Sequence, residues 1–252
     1  MMKRYFLIIL GFTSYLMTAQ TKIIAHRGYF QASPPTTENS LKALKNAQVL
    51  RVYGSEFDVR RSADGKLVVN HDEHHGKMEI DETPYRALKK LRLSNGEKIP
   101  TLKKYLKQGS KDDEVKLIIE LKPAKTKELE DEVVRKTIDM VKKLRMENQC
   151  EFISFSLNIC REIKRLEPDY MVQYLNGDLS PRQLKDENID GLDYHYKILT
   201  EKQPTWIREA KELGLITNSW TVNDLETYKN LKKQGIGFVT TNIPEQLINF
   251  LK

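Results

Sequence analysis

Short runs that are apolar almost throughout alternate along this chain with longer stretches that carry apolar residues at helical spacing. The runs are Ile23–Ala25, Tyr53–Val59, Val115–Leu121, Glu151–Phe155, Tyr170–Leu175, Ile189–Tyr194, Leu215–Thr221 and Gly237–Thr241. The periodic stretches between them include Leu41–Leu50, Glu128–Leu144, Leu157–Leu166, Pro204–Leu213, Leu225–Gln234 and Pro244–Leu251. A strand apolar on both faces needs cover on both faces, which an open antiparallel sheet does not provide. Eight such strands alternating with helices predict an α/β fold of one kind, the (β/α)8 or TIM barrel.

A ninth run, Leu67–Asn70, interrupts the pattern. It follows the second strand after only Ser62-Ala63-Asp64-Gly65, a turn signal. A parallel return needs a crossover of about a dozen residues or more. The run is therefore expected to come back antiparallel, as a hairpin at the barrel rim that brings His71 down beside the end of the second strand. From His74 to about Lys107 there is no strand pattern. Pro84–Leu91 and Thr101–Lys107 read as short helices, with a turn at Asn95-Gly96. A small insertion over about 74–107 is expected to cover one side of the rim.

The first residues read differently from the rest. Lys3 and Arg4 precede a mostly apolar segment from Tyr5 to Met17, and Thr18-Ala19-Gln20 offers a small residue before a polar one. This is the pattern of a secretory signal peptide over residues 1–19. Met17 departs from the small-residue rule at the cut site, and an uncleaved anchor is the alternative. The apolar segment is short for a bilayer span, which needs about 20 residues. The expected product is a periplasmic or secreted domain over residues 20–252, with no stable membrane insertion once the leader is gone. Its length suits one large domain.

The whole chain carries +7, and loss of Lys3 and Arg4 leaves +5. Lysines and acids are interspersed, with no basic stripe and no aromatic interleaving, so no nucleic-acid partner is expected. A mild positive balance favours anionic substrates. Cys150 and Cys160 are the only cysteines. They lack zinc-site clustering, and export would leave a disulfide between them open.

Chemistry gathers at the strand ends. Glu56 and Asp58 lie two apart, so both point to one face of a strand. On a barrel interior two carboxylates are costly unless neutralised. A surface pair bonded to Arg60 or Arg61 would explain them equally well, but Glu120 ends another apolar strand and adds a third carboxylate. All-oxygen ligation favours magnesium or calcium, with manganese next, over zinc. Lys122 shares a face with Glu120 and can meet a phosphate oxygen as a point charge, or simply pair with Glu120. His26 and Arg27 precede Gly28 at the first strand's exit; histidine titrates near neutrality and arginine grips phosphate through two parallel hydrogen bonds. His71 repeats the theme beside Asp72, which can orient the imidazole or cap the next segment. His74 and His75 read as a solvated loop, and His195 as a rim residue. Phe155 and Trp220 fall at strand ends as well. Base rates place them in the core, and Trp220 also suits a pocket wall. Asn39 or Ser40 is expected to cap the first helix.

His26-Arg27-Gly28, Glu38-Asn39-Ser40, Glu56-Phe57-Asp58, His71-Asp72, Glu120-Leu121-Lys122, Ser154-Phe155-Ser156, Trp220-Thr221-Val222 and Thr241-Asn242-Ile243-Pro244 occur in this order. The ordered set resembles the glycerophosphodiester phosphodiesterase family and spans nearly the whole mature chain. The resemblance implies a barrel with an insertion after the His71 segment and one divalent cation on Glu56, Asp58 and Glu120. It further implies His26 and His71 as acid–base pair, and Arg27 with Lys122 on the phosphate. The implied substrates are small glycerophosphodiesters, opened through the glycerol 2-hydroxyl to a cyclic phosphate that water then hydrolyses. A related barrel phospholipase and a non-catalytic phosphodiester-binding protein are the competing readings. The former usually lacks the Arg27-Gly28 continuation; the latter would lack a histidine or a metal ligand.

Overall fold

In the computed structural model, which describes residues 20–251, the apolar runs are strands. The leader expected over residues 1–19 lies outside the described residues. In chain order, β1 (Lys22–Ala25) leads through α1 (Leu41–Leu50) to β2 (Gly54–Arg61), which turns back as β3 (Leu67–Val69). A two-stranded ribbon, β4 (His74–His75) with β5 (Met78–Glu79), and the short α2 (Tyr85–Leu88) precede α3 (Leu102–Gly109). Strict alternation comes next: β6 (Lys116–Leu121), α4 (Lys127–Leu144), β7 (Cys150–Ser154), α5 (Leu157–Leu166), β8 (Val172–Tyr174) and α6 (Pro181–Asp186). It continues through β9 (Gly191–His195), α7 (Trp206–Glu212), β10 (Ile216–Trp220), α8 (Leu225–Lys233), β11 (Phe238–Thr241) and α9 (Pro244–Leu251).

Strand β1 pairs in parallel with both β11 and β2, so the eight parallel strands close into a (β/α)8 barrel. Strand β3 runs antiparallel on β2, with Val59 opposite Val69 and Arg61 opposite Leu67. The ladder is prolonged where the Asn70 N–H donates to the Asp58 carbonyl at 3.0 Å. That bond carries the chain down to His71, as the short turn requires.

Strand periodicity divides the side chains between two cores. On β6, Leu117, Ile119 and Leu121 join the large cluster between barrel and helices. Ile118 turns the other way and meets Ile24, Ile153 and Leu175 as a plug inside the barrel. On β2, Phe57 and Val59 belong to the outer cluster. Glu56 and Asp58 therefore face the axis above the plug, and so does Glu120.

Helix α3 packs against both α1 and α4. Gln48 and Gln108 exchange hydrogen bonds across the first of these contacts, with Gln48 Nε2 also donating to the Gly109 carbonyl at 3.1 Å. The helix expected over Thr101–Lys107 thus belongs to the ring. The inserted chain ends before it and keeps a small core of its own, Val68, Ile80, Leu88 and Ile99. Two features carry no apolar period in the sequence: α6, begun by a capping box between Ser180 and Gln183, and a π-helical turn over Ile198–Lys202.

Cys150 and Cys160 are both free and buried, so the disulfide left open by the sequence does not form. Burial pushes each thiol up to about 12. Among the described residues no helix is long and apolar enough to cross a membrane.

Candidate active site

The β2–β6 register sets Asp58 opposite Glu120 and Glu56 opposite Ile118. All three carboxylates are buried, and one oxygen of each lies within 4.8 Å of the others. Lys122 Nζ stands 2.7 Å from Asp58 Oδ1 and 2.6 Å from Glu120 Oε1. Lys122 thus bridges the two carboxylates. Glu56 Oε1 lacks a hydrogen-bond partner altogether. Three converging buried carboxylates matched by one ammonium group fit a hard divalent cation. A second acidic group, Glu79, Asp81 and Glu82, gathers around Lys125 at 3.2, 3.2 and 2.9 Å and is largely open to solvent.

Electrostatics separates the three carboxyls. Burial, then the charges of Asp58 and Glu120, raises Glu56 well above the ordinary range. Burial and Asp58 push Glu120 up to about 7. Burial would raise Asp58 too, but Lys122 outweighs it, and with help from Asn39 the carboxyl comes down to about 2. Asn39 Nδ2 donates to Asp58 Oδ2 at 2.7 Å, and the Asp58 N–H donates to Asn39 Oδ1 at 3.2 Å. The first helix is capped by Ser40 instead, whose hydroxyl accepts from the Ala43 N–H.

The exit of β1 is tightly built. Gly28 has φ +77°, and a Cβ there would sit 2.8 Å from Ala43. Arg27 itself has φ 53°, in the left-handed region, which points its N–H at Glu56 Oε2 at 2.7 Å. Its Nη1 donates to both Glu38 oxygens at 2.9 and 3.0 Å, and its Nε lies 3.7 Å from Asp58. His26 Nδ1 is 2.7 Å from Asn242 Oδ1. An amide oxygen only accepts, so Nδ1 carries the hydrogen and Nε2 keeps its lone pair. That Nε2 lies 4.0 Å from Glu56 Oε2. Burial, and then Arg27, lowers His26 to about 4. His71 Nδ1 lies 2.8 Å from Asp72 Oδ1, and its side chain keeps 35% of its surface exposed. Arg60 Nε donates to the His71 carbonyl at 2.8 Å and steadies the descending arm.

One cavity of about 140 Å³ collects these groups: His26, Arg27, Glu56, His71, Glu120 and Lys122 form its polar wall. Asp58 does not line it but holds Lys122 in place. Ile153, Phe155, Leu175 and Trp220 form the opposite wall. Phe155 and Trp220 meet edge to face with centroids 5.5 Å apart, and Lys122 Nζ lies 6.0 Å from the Phe155 ring. The two aromatics thus belong to the pocket wall as well as to the barrel core. A larger cavity, about 980 Å³, lies beside Thr21, Lys233 and Gly237, and no histidine or carboxylate lines it.

Four residues of the site have no such role in the sequence reading. Glu38 reads only as part of a motif and Asn39 as a candidate helix cap, yet they bind Arg27 and Asp58. Asn242 reads only as part of a motif, yet it sets the His26 tautomer. Asp193 is buried in the cavity wall; burial and the Glu120 charge push it well up, and Asn218 offsets part of this. Its signal in the sequence is a carboxylate inside an apolar run.

The profile of the Glycerophosphoryl diester phosphodiesterase family matches residues 26–246. The chain belongs to this family. As a glycerophosphoryl diester phosphodiesterase family member it is an enzyme, and the non-catalytic reading falls away. It is similar in structure to a glycerophosphodiester phosphodiesterase from Parabacteroides distasonis, 42% identical, covering 92% of this chain and 96% of that one, with a TM-score of 0.89. It is similar to a phosphodiesterase from Oleispira antarctica solved in complex with the product sn-glycerol-3-phosphate, at 26% identity, 91% and 96% coverage and TM-score 0.80. Among curated relatives, a glycerophosphodiester phosphodiesterase from Caldanaerobacter subterraneus subsp. tengcongensis is 29% identical, covering 92% of this chain and 98% of that protein.

The His26 geometry has a direct spectroscopic consequence. In metal-free protein its ring should carry the hydrogen on Nδ1 and stay neutral until about pH 4. An unfolded histidine takes its proton near 6.5. Between these values the unfolded chain binds the extra proton, so this group makes the fold lose stability as pH falls through that window. Nitrogen-15 NMR titration of His26 checks it; a midpoint near 6.5, or an Nε2–H tautomer, contradicts the assignment.

Proposed function

We propose that this chain hydrolyses glycerophosphodiesters to glycerol 3-phosphate and an alcohol, using one divalent cation and the His26/His71 pair. One observation carries the reading: two imidazoles, two cationic side chains and the carboxylates of Glu56 and Glu120 line a single cavity, with Asp58 clustered behind them, in a member of this family. The Oleispira antarctica relative, with its bound sn-glycerol-3-phosphate, supports the choice of product.

Glu56, Asp58 and Glu120 would hold the cation; magnesium or calcium suits their oxygen set, with manganese next. When bound, such an ion draws charge from phosphoryl oxygens and from a hydroxyl beside them. His26, neutral with a free Nε2, takes the proton of the glycerol 2-hydroxyl. That oxygen bonds to phosphorus, and the bond from phosphorus to the head-group oxygen breaks. His71, at the exposed mouth, gives its proton to the departing oxygen. In the second step His71 takes a proton from water, the water oxygen bonds to phosphorus, and the ring bond to the glycerol 2-oxygen breaks. His26 returns its proton to that oxygen. Arg27, oriented by Glu38, and Lys122 face the charge that builds on the phosphoryl oxygens.

Release of glycerol 3-phosphate from glycerophosphocholine should stop with a chelator and resume with a divalent cation. His26→Ala and His71→Ala should each lower kcat by ~10²-fold or more with the fold intact. Near-normal turnover in either variant removes that histidine from the mechanism. Turnover of intact phospholipid in place of glycerophosphocholine favours the phospholipase reading.

We also propose export, to the periplasm or beyond, with loss of about the first 19 residues, on the basic start and short apolar run. Mass spectrometry of the native protein should find a start near Gln20. An intact Met1 in the cytoplasmic fraction contradicts this.

A further inference from the structure

We propose that Asp193 recognises the terminal glycerol hydroxyl of the substrate, the one that does not attack phosphorus, and so decides which end of the diester enters the barrel. The proposal rests on the substrate reading above.

The histidines, the cationic groups and the metal-binding carboxylates all come from β1 and its exit, β2, the β3 arm and β6 and its exit, with Asn242 after β11 acting only through His26. The facing wall, from β7 to β11, is apolar where Ile153, Phe155, Leu175 and Trp220 line it. A glycerol hydroxyl turned toward that wall loses its hydrogen bonds to water and needs replacements. Asp193 is the one ionisable group there among the described residues that line the cavity. It is 1% exposed, and its Oδ1 has no hydrogen-bond partner. In a barrel interior such an oxygen calls for an explanation.

Two of its polar neighbours are otherwise engaged, while the Thr221 hydroxyl also lines the cavity. Trp220 cannot serve the glycerol hydroxyl, because its indole N–H donates to the Asp193 carbonyl at 3.0 Å. It offers a ring face only. Thr240 Oγ1 is tied to Asn218, at 3.2 Å from Nδ2 and 3.4 Å from Oδ1. Strand pairing fixes Asp193 opposite Asn218, and His195 opposite Trp220. The carboxyl therefore sits on a rigid element, where a recognition group is held most accurately.

Size decides which end it meets. The cavity holds about 140 Å³, well below the roughly 300–1,000 Å³ of pockets that enclose drug-sized ligands. That volume suits a glycerol phosphoryl unit, with the rest of a diester left at the mouth. With the phosphate against Arg27 and Lys122, the glycerol arm runs inward to Asp193. The second alcohol then leaves at the mouth, beside the exposed His71. Such a site is selective for the glycerol arm and tolerant of the other alcohol.

The experiment compares glycerol 3-phosphate with methyl phosphate by calorimetry on the mature protein saturated with a divalent cation. The unaltered protein should bind glycerol 3-phosphate about 10-fold tighter or more. Asp193→Ala should bring the two ligands within about 2-fold of each other while methyl phosphate binds as before. Asp193→Asn, which keeps hydrogen-bonding capacity, should restore most of the preference. A preference that survives in Asp193→Ala overturns the proposal. If that variant does not fold, a crystal structure of the unaltered protein with glycerol 3-phosphate decides: a glycerol hydroxyl at hydrogen-bond distance from Asp193 supports it, and a glycerol arm pointing to the mouth overturns it. An unaltered protein that neither cleaves glycerophosphocholine nor prefers glycerol 3-phosphate sinks the substrate reading itself. One that does both, with the preference intact in Asp193→Ala, sinks only the role of Asp193.

Discussion

Three carboxylates share a buried space at the mouth of this barrel, with oxygens within 4.8 Å of one another. Two unit charges at that distance repel by on the order of 3 kcal/mol at an effective dielectric of about 20, before any cost of leaving water. Lys122 offsets part of this at Asp58 and Glu120, and the Arg27 N–H does so at Glu56. The guanidinium of Arg27 is largely committed to Glu38. Negative charge thus exceeds what the chain neutralises, and the converging oxygens concentrate the excess at one place. Protons can relieve it: burial first, and then the Asp58 charge, push Glu120 up to about 7. A divalent cation relieves it without protonation.

The remainder of the site depends on that arrangement. Strand periodicity turns Glu56, Asp58 and Glu120 to the axis while Phe57, Val59 and Ile119 anchor the same strands in the outer core. The antiparallel return of β3 delivers His71 from above, and the exit of β1 delivers His26 from the side. One half of the barrel thereby carries proton transfer and phosphate charge. The other half carries ring faces, aliphatic side chains and a single buried acid.

Much of this was legible in the sequence, for a physical reason. Barrel strands are apolar on both faces, so Val115–Leu121 and Glu151–Phe155 stand out, and a polar residue at the end of such a run has few structural excuses. The short Asp64-Gly65 turn excludes a parallel return for Leu67–Asn70. Other features left no local trace. Six residues of α6 are too few to display a period. The helix over Leu102–Gly109 resembles any short amphipathic helix until its packing on α1 and α4 is seen. Asn39 and Asn242 act on partners 19 and 216 residues away, distances over which no motif spacing carries meaning. Asp193 was visible as an acid in an apolar run, but its unpartnered oxygen belongs to the folded cavity alone.

The central claim is that the carboxylate triplet is a cation site. Anomalous diffraction from crystals of the protein soaked in manganese tests it most directly. The account predicts one strong peak in contact with Glu56, Asp58 and Glu120, lost in Asp58→Asn crystals. A protein that turns over glycerophosphocholine while no peak appears among these three side chains would contradict it.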